Sequence, residues 1–336
     1  MRARSTAPAR CGFYRGFVSL SGAALALVLT AGVARAQTLP PGARDQLDNL
    51  IGSRVETFSV LDTQNGVAGG TYVSKVNDTD LAITRVTGRG DVARKQPLGD
   101  TGIFWAPMIE GGIGYGTFEN HFDGGALDGN QSTITTLAVF LGGGVRFTVW
   151  EDFSLAPTFG VVYAHSDNDF DARNDAGRQV LQLAGVNDLV NWSADTFTLV
   201  PGIEARYRHL FNNIIQLTLK SLFKYFHTEP ISRSTTALSF ESTSEWWLNE
   251  IDVEWRMPVY LWGRQLRTGA YISRSELYGG LETTLKTSHF YNAGGRVVID
   301  VQGLLWHLEY IGIGAGYFWA DKFSGWTLGA EISFSF

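Results

Sequence analysis

Cysteine is nearly missing from this chain: the only one, Cys11, lies close to the N-terminus. Beyond it there is no thiol, which excludes a disulfide framework, a cysteine nucleophile and a thiolate metal site. Charge is sparse at 18% of residues, and a positive excess is absent, the formal net charge being −6. An acidic chain of this kind is a poor nucleic-acid partner, because phosphate neutralisation needs surplus Lys and Arg. Past residue 36 no run of about 18 apolar residues occurs, so no segment reads as a membrane-spanning helix. No phosphate loop, zinc-ligand pair or nucleophile elbow is found. What the chain does have is 39 glycines and an aromatic set of 10 Trp, 12 Tyr and 21 Phe.

The first 36 residues have the organisation of a cleaved secretory signal. Arg2, Arg4, Arg10 and Arg15 precede the apolar stretch 17–33, which ends at the small-x-small site Ala34-Arg35-Ala36. Without paired arginines, the expected route is the general secretory one. Cys11 lies ahead of the apolar stretch and so cannot be a lipidation site. The expected mature chain starts at Gln37 and keeps 300 of the 336 residues. Five of the 27 basic residues leave with the signal and all 33 acidic ones stay, for a net charge of −11.

The rest of the chain alternates with period two. Its last eleven residues show this best: Trp326, Leu328, Ala330, Ile332, Phe334 and Phe336 alternate with Thr327, Gly329, Glu331, Ser333 and Ser335, the pattern of a strand with one apolar and one polar face. Ten long strands are expected over 104–119, 133–149, 153–165, 195–209, 214–227, 246–257, 264–277, 286–301, 304–318 and 326–336. Two weaker ones fall at 67–76 and 80–87. Each long strand can cross a bilayer at a tilt, which takes about 9–11 residues. The expected fold is therefore all-β, an antiparallel up-and-down transmembrane barrel of twelve strands over 67–336, with ten as the alternative count.

Turn lengths orient it. The short turns at 150–152, 211–213, 258–263 and 302–303 are expected at the periplasmic edge; segments 120–132, 166–194, 228–245, 278–285 and 319–325 are expected outside. Trp105, Trp150, Trp262 and Trp306 would then form a periplasmic girdle, and Trp192, Trp246, Trp247, Trp319 and Trp326 an outer one.

The stretch Leu50–Leu61 leading into Gly66-Val-Ala-Gly-Gly-Thr-Tyr72, the segment Trp105-Ala-Pro-Met-Ile-Glu-Gly-Gly-Ile-Gly-Tyr115 and the terminal Phe336 together resemble the solitary outer-membrane autotransporter-like β-barrel family. The resemblance implies a twelve-stranded translocator-type barrel without a secreted passenger, in the outer membrane of a Gram-negative bacterium. It also implies that Leu328, Ala330, Ile332, Phe334 and Phe336 form the tag read by the barrel-assembly machinery. Periplasmic chaperones during biogenesis, and outer-membrane lipid and lipopolysaccharide afterwards, are the expected partners. Residues 37–66, with Leu47, Leu50, Ile51, Val55 and Phe58 at near-helical spacing, are expected as a short helix in the lumen, the alternatives being a periplasmic helix packed on the barrel rim or a frayed terminus.

Three constellations could carry chemistry. Strand phase points Glu110, Arg146, Glu204, Arg206, Arg208, Glu250, Asp252, Glu254, Arg256, Arg296, Asp300, Glu309 and Glu331 into the lumen. There they would form a solvated interior, a salt-bridged plug or a selective pore. Asp167, Asp169 and Asp171, expected in the longest outer loop, are candidate cation ligands, although Ala172 and Arg178 stand where an EF-hand needs Gly and Glu. His165 with Asp167, His227, and Ser288 with His289 fall near the outer edge, where a hydrolytic pair would sit. No cofactor or catalytic residue is assigned. The expected role is structural and non-enzymatic, the alternatives being a small diffusion channel and a lipid- or peptide-cleaving barrel enzyme.

Overall fold

The computed structural model describes residues 56–57, 66–74, 79–121, 129–182, 190–235, 240–301 and 308–334. Twelve long strands form the wall: β1 (Gly66–Ser74), β2 (Thr79–Asp91), β4 (Phe104–His121), β5 (Gln131–Trp150), β6 (Phe153–Asp171), β7 (Trp192–Phe211), β8 (Ile215–Arg233), β9 (Ser242–Leu261), β10 (Arg264–Gly279), β11 (His289–Asp300), β12 (Leu308–Trp319) and β13 (Phe323–Phe334). A two-residue stub, β3 (Gln96–Pro97), pairs with the start of β4. Neighbours in sequence pair antiparallel throughout, and β1 pairs with β13 as well as β2, closing the sheet into a barrel. Closure leaves no row of open edge hydrogen-bonding groups, which a strand assembly in lipid requires.

Two short helices lie on the outer connections, α1 (Asp175–Leu181) and α2 (Gly280–Leu285). The opposite edge is closed by tight turns. Between β7 and β8, Asn212 and Asn213 both have positive φ, and the Ile214 amide donates to the Phe211 carbonyl at 2.9 Å. Between β9 and β10, Trp262 and Gly263 have φ of 53° and 75°. Two consecutive left-handed residues are the type I′ pattern, whose twist matches that of the flanking strands.

Side chains alternate along every strand, but the hydrophobic rule is inverted. Ile113, Leu141, Phe159, Ile203, Ile251 and Leu328 lie exposed on the outside, as a lipid-facing wall demands. Glycines on the inner face let bulky neighbours lie flat. A Cβ on Gly294 would come within 2.5 Å of the Tyr271 hydroxyl, whose ring covers it.

The strand expectations match the wall, including both weaker candidates, with β2 extended to Asp91. Differences collect at the outer edge. β6 runs to Asp171 and β7 starts at Trp192, so Asp167, Asp169 and Asp171 are strand residues, not loop residues. β8 likewise continues to Arg233, while β11 begins only at His289 because α2 and left-handed Lys286 precede it. Above the lipid, both faces of a strand can be polar, so hydropathy alternation fades while the hydrogen-bond ladder continues. Phe336, Trp306 and residues 37–65 other than Glu56 and Thr57 lie outside the described residues.

Two of the girdle tryptophans are elsewhere. Trp192 and Trp246 are buried inside the barrel, at 4% and 2% exposure, and the Trp246 indole donates to Ser275 Oγ at 3.0 Å. Their phase places them inward, while Trp247, one residue on, faces out. Trp150, Trp262 and Trp326 are exposed at strand ends.

Candidate functional site

The lumen is the candidate site, and it is built in two layers. Towards the outer edge, the inward positions of nearly every wall strand are apolar: Leu81 and Ile83 of β2, Phe118 of β4, Leu222 and Phe226 of β8, Trp246 and Leu248 of β9, Phe290 of β11, Phe318 of β12 and Phe323 of β13 form one buried cluster. The outer connections add to it from above. Leu281 and Leu285 of α2 are buried, and the Leu281 amide donates to Ser244 Oγ at 3.0 Å. Phe240 packs edge-on against Trp192 with centroids 4.9 Å apart. Three pairs of polar groups in this layer satisfy one another: Thr136 with Ser166 at 2.9 Å, Thr198 with Thr228 at 2.8 Å, and Ser132 donating to Asn168 at 2.7 Å. Pairing removes the desolvation penalty that an unsatisfied hydroxyl would carry there. The result is a hydrophobic core inside a membrane barrel.

Glu56 enters this layer from the N-terminal segment, with only 1% of its surface exposed. Thr228 Oγ1 donates to Glu56 Oε1 at 2.8 Å, and the hydroxyls of Ser242 and Ser244 flank the carboxyl. Glu56 belongs to no wall strand, and these partners sit at the outer ends of β8 and β9, at the mouth. Burial pushes its carboxyl up to about 7 from the ordinary 4.5, and the three hydroxyl contacts offset part of that rise.

Nearer the periplasmic edge, the inward positions are charged and joined across the lumen. Glu204 of β7 receives Arg206 at 2.9 Å, Arg89 of β2 at 2.5 Å and Arg146 of β5 at 3.9 Å. Arg146 also holds Asp91 at 2.6 Å, and Glu110 takes Arg89 at 3.5 Å and Lys224 at 3.4 Å. A second network lies on the other wall. Arg296 meets Asp252 at 2.5 Å, Glu331 at 3.5 Å and Glu254 at 3.6 Å; Arg267 meets Asp300 at 2.9 Å and Glu254 at 3.4 Å. Lys220 with Glu250 at 2.7 Å stands between the two. Lys224 also lies 4.9 Å from the Phe140 ring, where the charged layer meets the apolar one.

Of the thirteen charges placed in the lumen from sequence, Glu110, Arg146, Glu204, Arg206, Glu250, Asp252, Glu254, Arg296, Asp300 and Glu331 are in these networks. Arg208 is exposed at the lower mouth, Arg256 is half-buried, and Glu309 sits half-buried at the bulge that opens β12. Sequence reading missed Arg89 and Asp91, because the second strand was ended at residue 87. It also passed over Lys220, Lys224 and Arg267, whose inward phase was available from their own strands. The acidic run Glu250-Asp252-Glu254 faces Lys220, Arg296 and Arg267, which neutralise it.

Among the described residues, the outer-edge candidates do not assemble a nucleophile, a base and an orienting carboxylate in one place. His165 is held at both ring nitrogens by carboxylates, Nδ1 at 2.8 Å from Asp195 and Nε2 at 3.0 Å from Asp167, and neither partner is a nucleophilic hydroxyl. His227 pairs with Glu229 at 3.0 Å. Ser288 and His289 are 3.3 Å apart, and no carboxylate orients that ring among the described residues. Asp167, Asp169 and Asp171 are spread along one strand face, Asp167 on His165 and Asp171 on Arg173 at 2.7 Å. No metal-binding group of three acids or imidazoles forms among the described residues.

A comparison with curated proteins finds no match. Among solved structures, the barrel is similar to the β domain of the Bordetella autotransporter BrkA, at 13% identity and a TM-score of 0.51, over 80% of this chain and 97% of that one. It is equally similar to the translocator domain of the autotransporter NalP from Neisseria meningitidis, at 11% identity and a TM-score of 0.51, over 85% and 94% of the two chains. At such identities the likeness establishes the fold alone. Residues 97–332 match the model of the solitary outer membrane autotransporter β-barrel domain. With closed twelve-strand topology and sequence match in agreement, the chain belongs to that family of outer-membrane β-barrels.

Proposed function

We propose that this protein is a closed, non-catalytic envelope barrel in the Gram-negative outer membrane, with its own N-terminal segment rather than a secreted domain seated in the outer mouth. The apolar layer across the outer half of the lumen carries this reading. A pore for hydrated solutes needs a wetted path, and a continuous cluster of Phe, Trp, Leu and Ile side chains excludes one. The burial of Glu56 within that layer supports the placement of the N-terminal segment. The charged lower chamber is a rigidifying network of neutralised pairs, not a selectivity ring of one sign. Signal-directed export is part of the proposal.

Planar-bilayer recording of the folded Gln37–Phe336 barrel tests it. Long silent traces are expected, with no stable open level. Steady single-channel steps from the native protein would put the diffusion channel in its place.

The terminal strand is proposed to engage the barrel-assembly machinery through Leu328, Ala330, Ile332, Phe334 and Phe336, after periplasmic chaperones have delivered the chain. Deleting Phe336 is expected to lower the amount of folded barrel in the outer membrane several-fold, scored by heat-modifiable migration in gels. Unchanged levels of the truncated chain would remove the tag from the proposal.

A further inference from the structure

The lipid-facing wall is not uniformly ridged. One row of outward positions crosses it at matched register: Ala205 of β7, Ser221 of β8, Asn249 of β9, Arg274 of β10 and Tyr291 of β11. The first three are small or short. On the periplasmic side of this row stand Tyr207, Leu219, Ile251 and Ile272; on its outer side stand Ile203, Phe223 and Trp247. The low floor and the bulky periplasmic-side ridge of Tyr207, Leu219, Ile251 and Ile272 line an oblique groove of about 570 Å³. Its floor is partly polar, and the Trp247 indole donates to Ser221 Oγ at 2.9 Å across one side. Neighbouring strands are about 4.8 Å apart, so the four steps from Ala205 to Tyr291 span roughly 19 Å, a length that suits an extended fatty-acyl chain.

Arg274 marks the groove's outer end. Its guanidinium lies 5.7 Å from the Tyr291 ring, and one terminal nitrogen meets Glu276 at 2.6 Å. Tyr291 continues into a belt with Trp319 at 5.6 Å, Tyr317 and Trp326. A belt of outward aromatic rings marks the interface where hydrocarbon gives way to headgroups. The groove thus runs from headgroup depth into the hydrocarbon, with a cation at the polar end. Arg274 is half-exposed and has five N–H donors in a planar fork. The single contact with Glu276 leaves donors that match phosphate geometry.

We infer that this groove is a fixed binding site for one lipid A moiety of outer-leaflet lipopolysaccharide, with a phosphate on Arg274 and an acyl chain along Ala205, Ser221 and Asn249. The inference rests on the outer-membrane orientation of the barrel and is independent of whether the lumen conducts. The groove is formed by the sheet before binding, so only the acyl chain has to be ordered, and the Arg–phosphate contact fixes its register; together they distinguish one lipid from the exchanging annulus.

Native mass spectrometry of the full-length protein extracted in mild detergent tests this, with extracted lipid A added back as the probe. The native barrel is expected to retain one lipid A per chain. Arg274→Gln, and separately Ser221→Leu with Asn249→Leu, are expected to reduce retention roughly tenfold. Thr84→Leu, an outward substitution on β2 away from the groove, should leave it unchanged and controls for altered folding. Retention of a glycerophospholipid instead, a second copy of the chain in place of lipid, or equal retention by all variants would each overturn the assignment.

Discussion

Replacing Glu204 with alanine is expected to destabilise the barrel by about 3–5 kcal/mol, the scale for breaking a buried ion pair from one side. The carboxylate is 1% exposed and holds Arg206, Arg89 and the outer reach of Arg146. Its removal leaves cations from three strands facing one another without their shared anion. The cost exceeds that of losing any one partner, because Arg206→Ala would leave Glu204 still held by Arg89 at 2.5 Å. Glu119→Ala, on the outward face of β4, should change stability by less than about 0.5 kcal/mol and serves as the reference. Urea unfolding of each variant from lipid vesicles, followed by tryptophan fluorescence, gives the comparison. A Glu204→Ala midpoint equal to that of Arg206→Ala would mean that the network is no more than a set of independent pairs.

Much of this architecture is written in residue alternation. The closing strand, with Trp326, Leu328, Ala330 and Ile332 outward, needs no structure to be recognised, because lipid on one side and a polar lumen on the other impose period two. The outer half of the lumen broke that rule. There the inner face is apolar as well, so Trp246 and Trp247 sit side by side with opposite destinations, and composition places both in a girdle. The same loss of contrast hid the outer ends of β6 and β8, where both faces turn polar above the lipid. Cross-lumen pairing was illegible for a different reason. Phase says that Glu204 and Arg89 both face inward, but only strand tilt and stagger bring β2 and β7 to the same height. Glu56 was invisible in the same way: nothing local distinguishes it from the other charges between Asp45 and Asp62.

The two lumen layers have distinct physical roles. Paired charges in the lower chamber are costly to desolvate, but once joined across the lumen they specify which strands face one another. The apolar layer needs no such matching and excludes water through area alone. A seam between them is formed by Lys224, whose ammonium reaches Glu110 below while its ring contact is with Phe140. In the proposed closed mouth, the packing among the described residues holds the buried carboxyl group of Glu56, and pH acts on the mouth through that group.

Raising the pH from 5 to 8 is expected to loosen the hold on Glu56 by about 2.5 kcal/mol. Its carboxyl stands at about 7 when seated and at the ordinary 4.5 when released. The seated state consequently keeps a proton that the released state gives up, so its advantage is complete below pH 4.5 and falls as pH rises towards 7. The full difference of about 2.5 pH units at 1.36 kcal/mol each is about 3.4 kcal/mol, of which about 2.5 kcal/mol is lost between pH 5 and 8. The groups facing the carboxyl are the hydroxyls of Thr228, Ser242 and Ser244, which can solvate either form but cannot neutralise the charged one. Hydrogen exchange of the peptide spanning Glu56 and Thr57, corrected for intrinsic rate, reads the opening directly. Protection in the native protein should fall on the order of 100-fold across this range. Glu56→Gln, neutral at every pH, should keep the acid-side protection throughout and show no slope. A native protein whose corrected protection is flat from pH 5 to 8 would mean that the carboxyl is already ionised where it sits, and that the mouth is held by apolar packing alone.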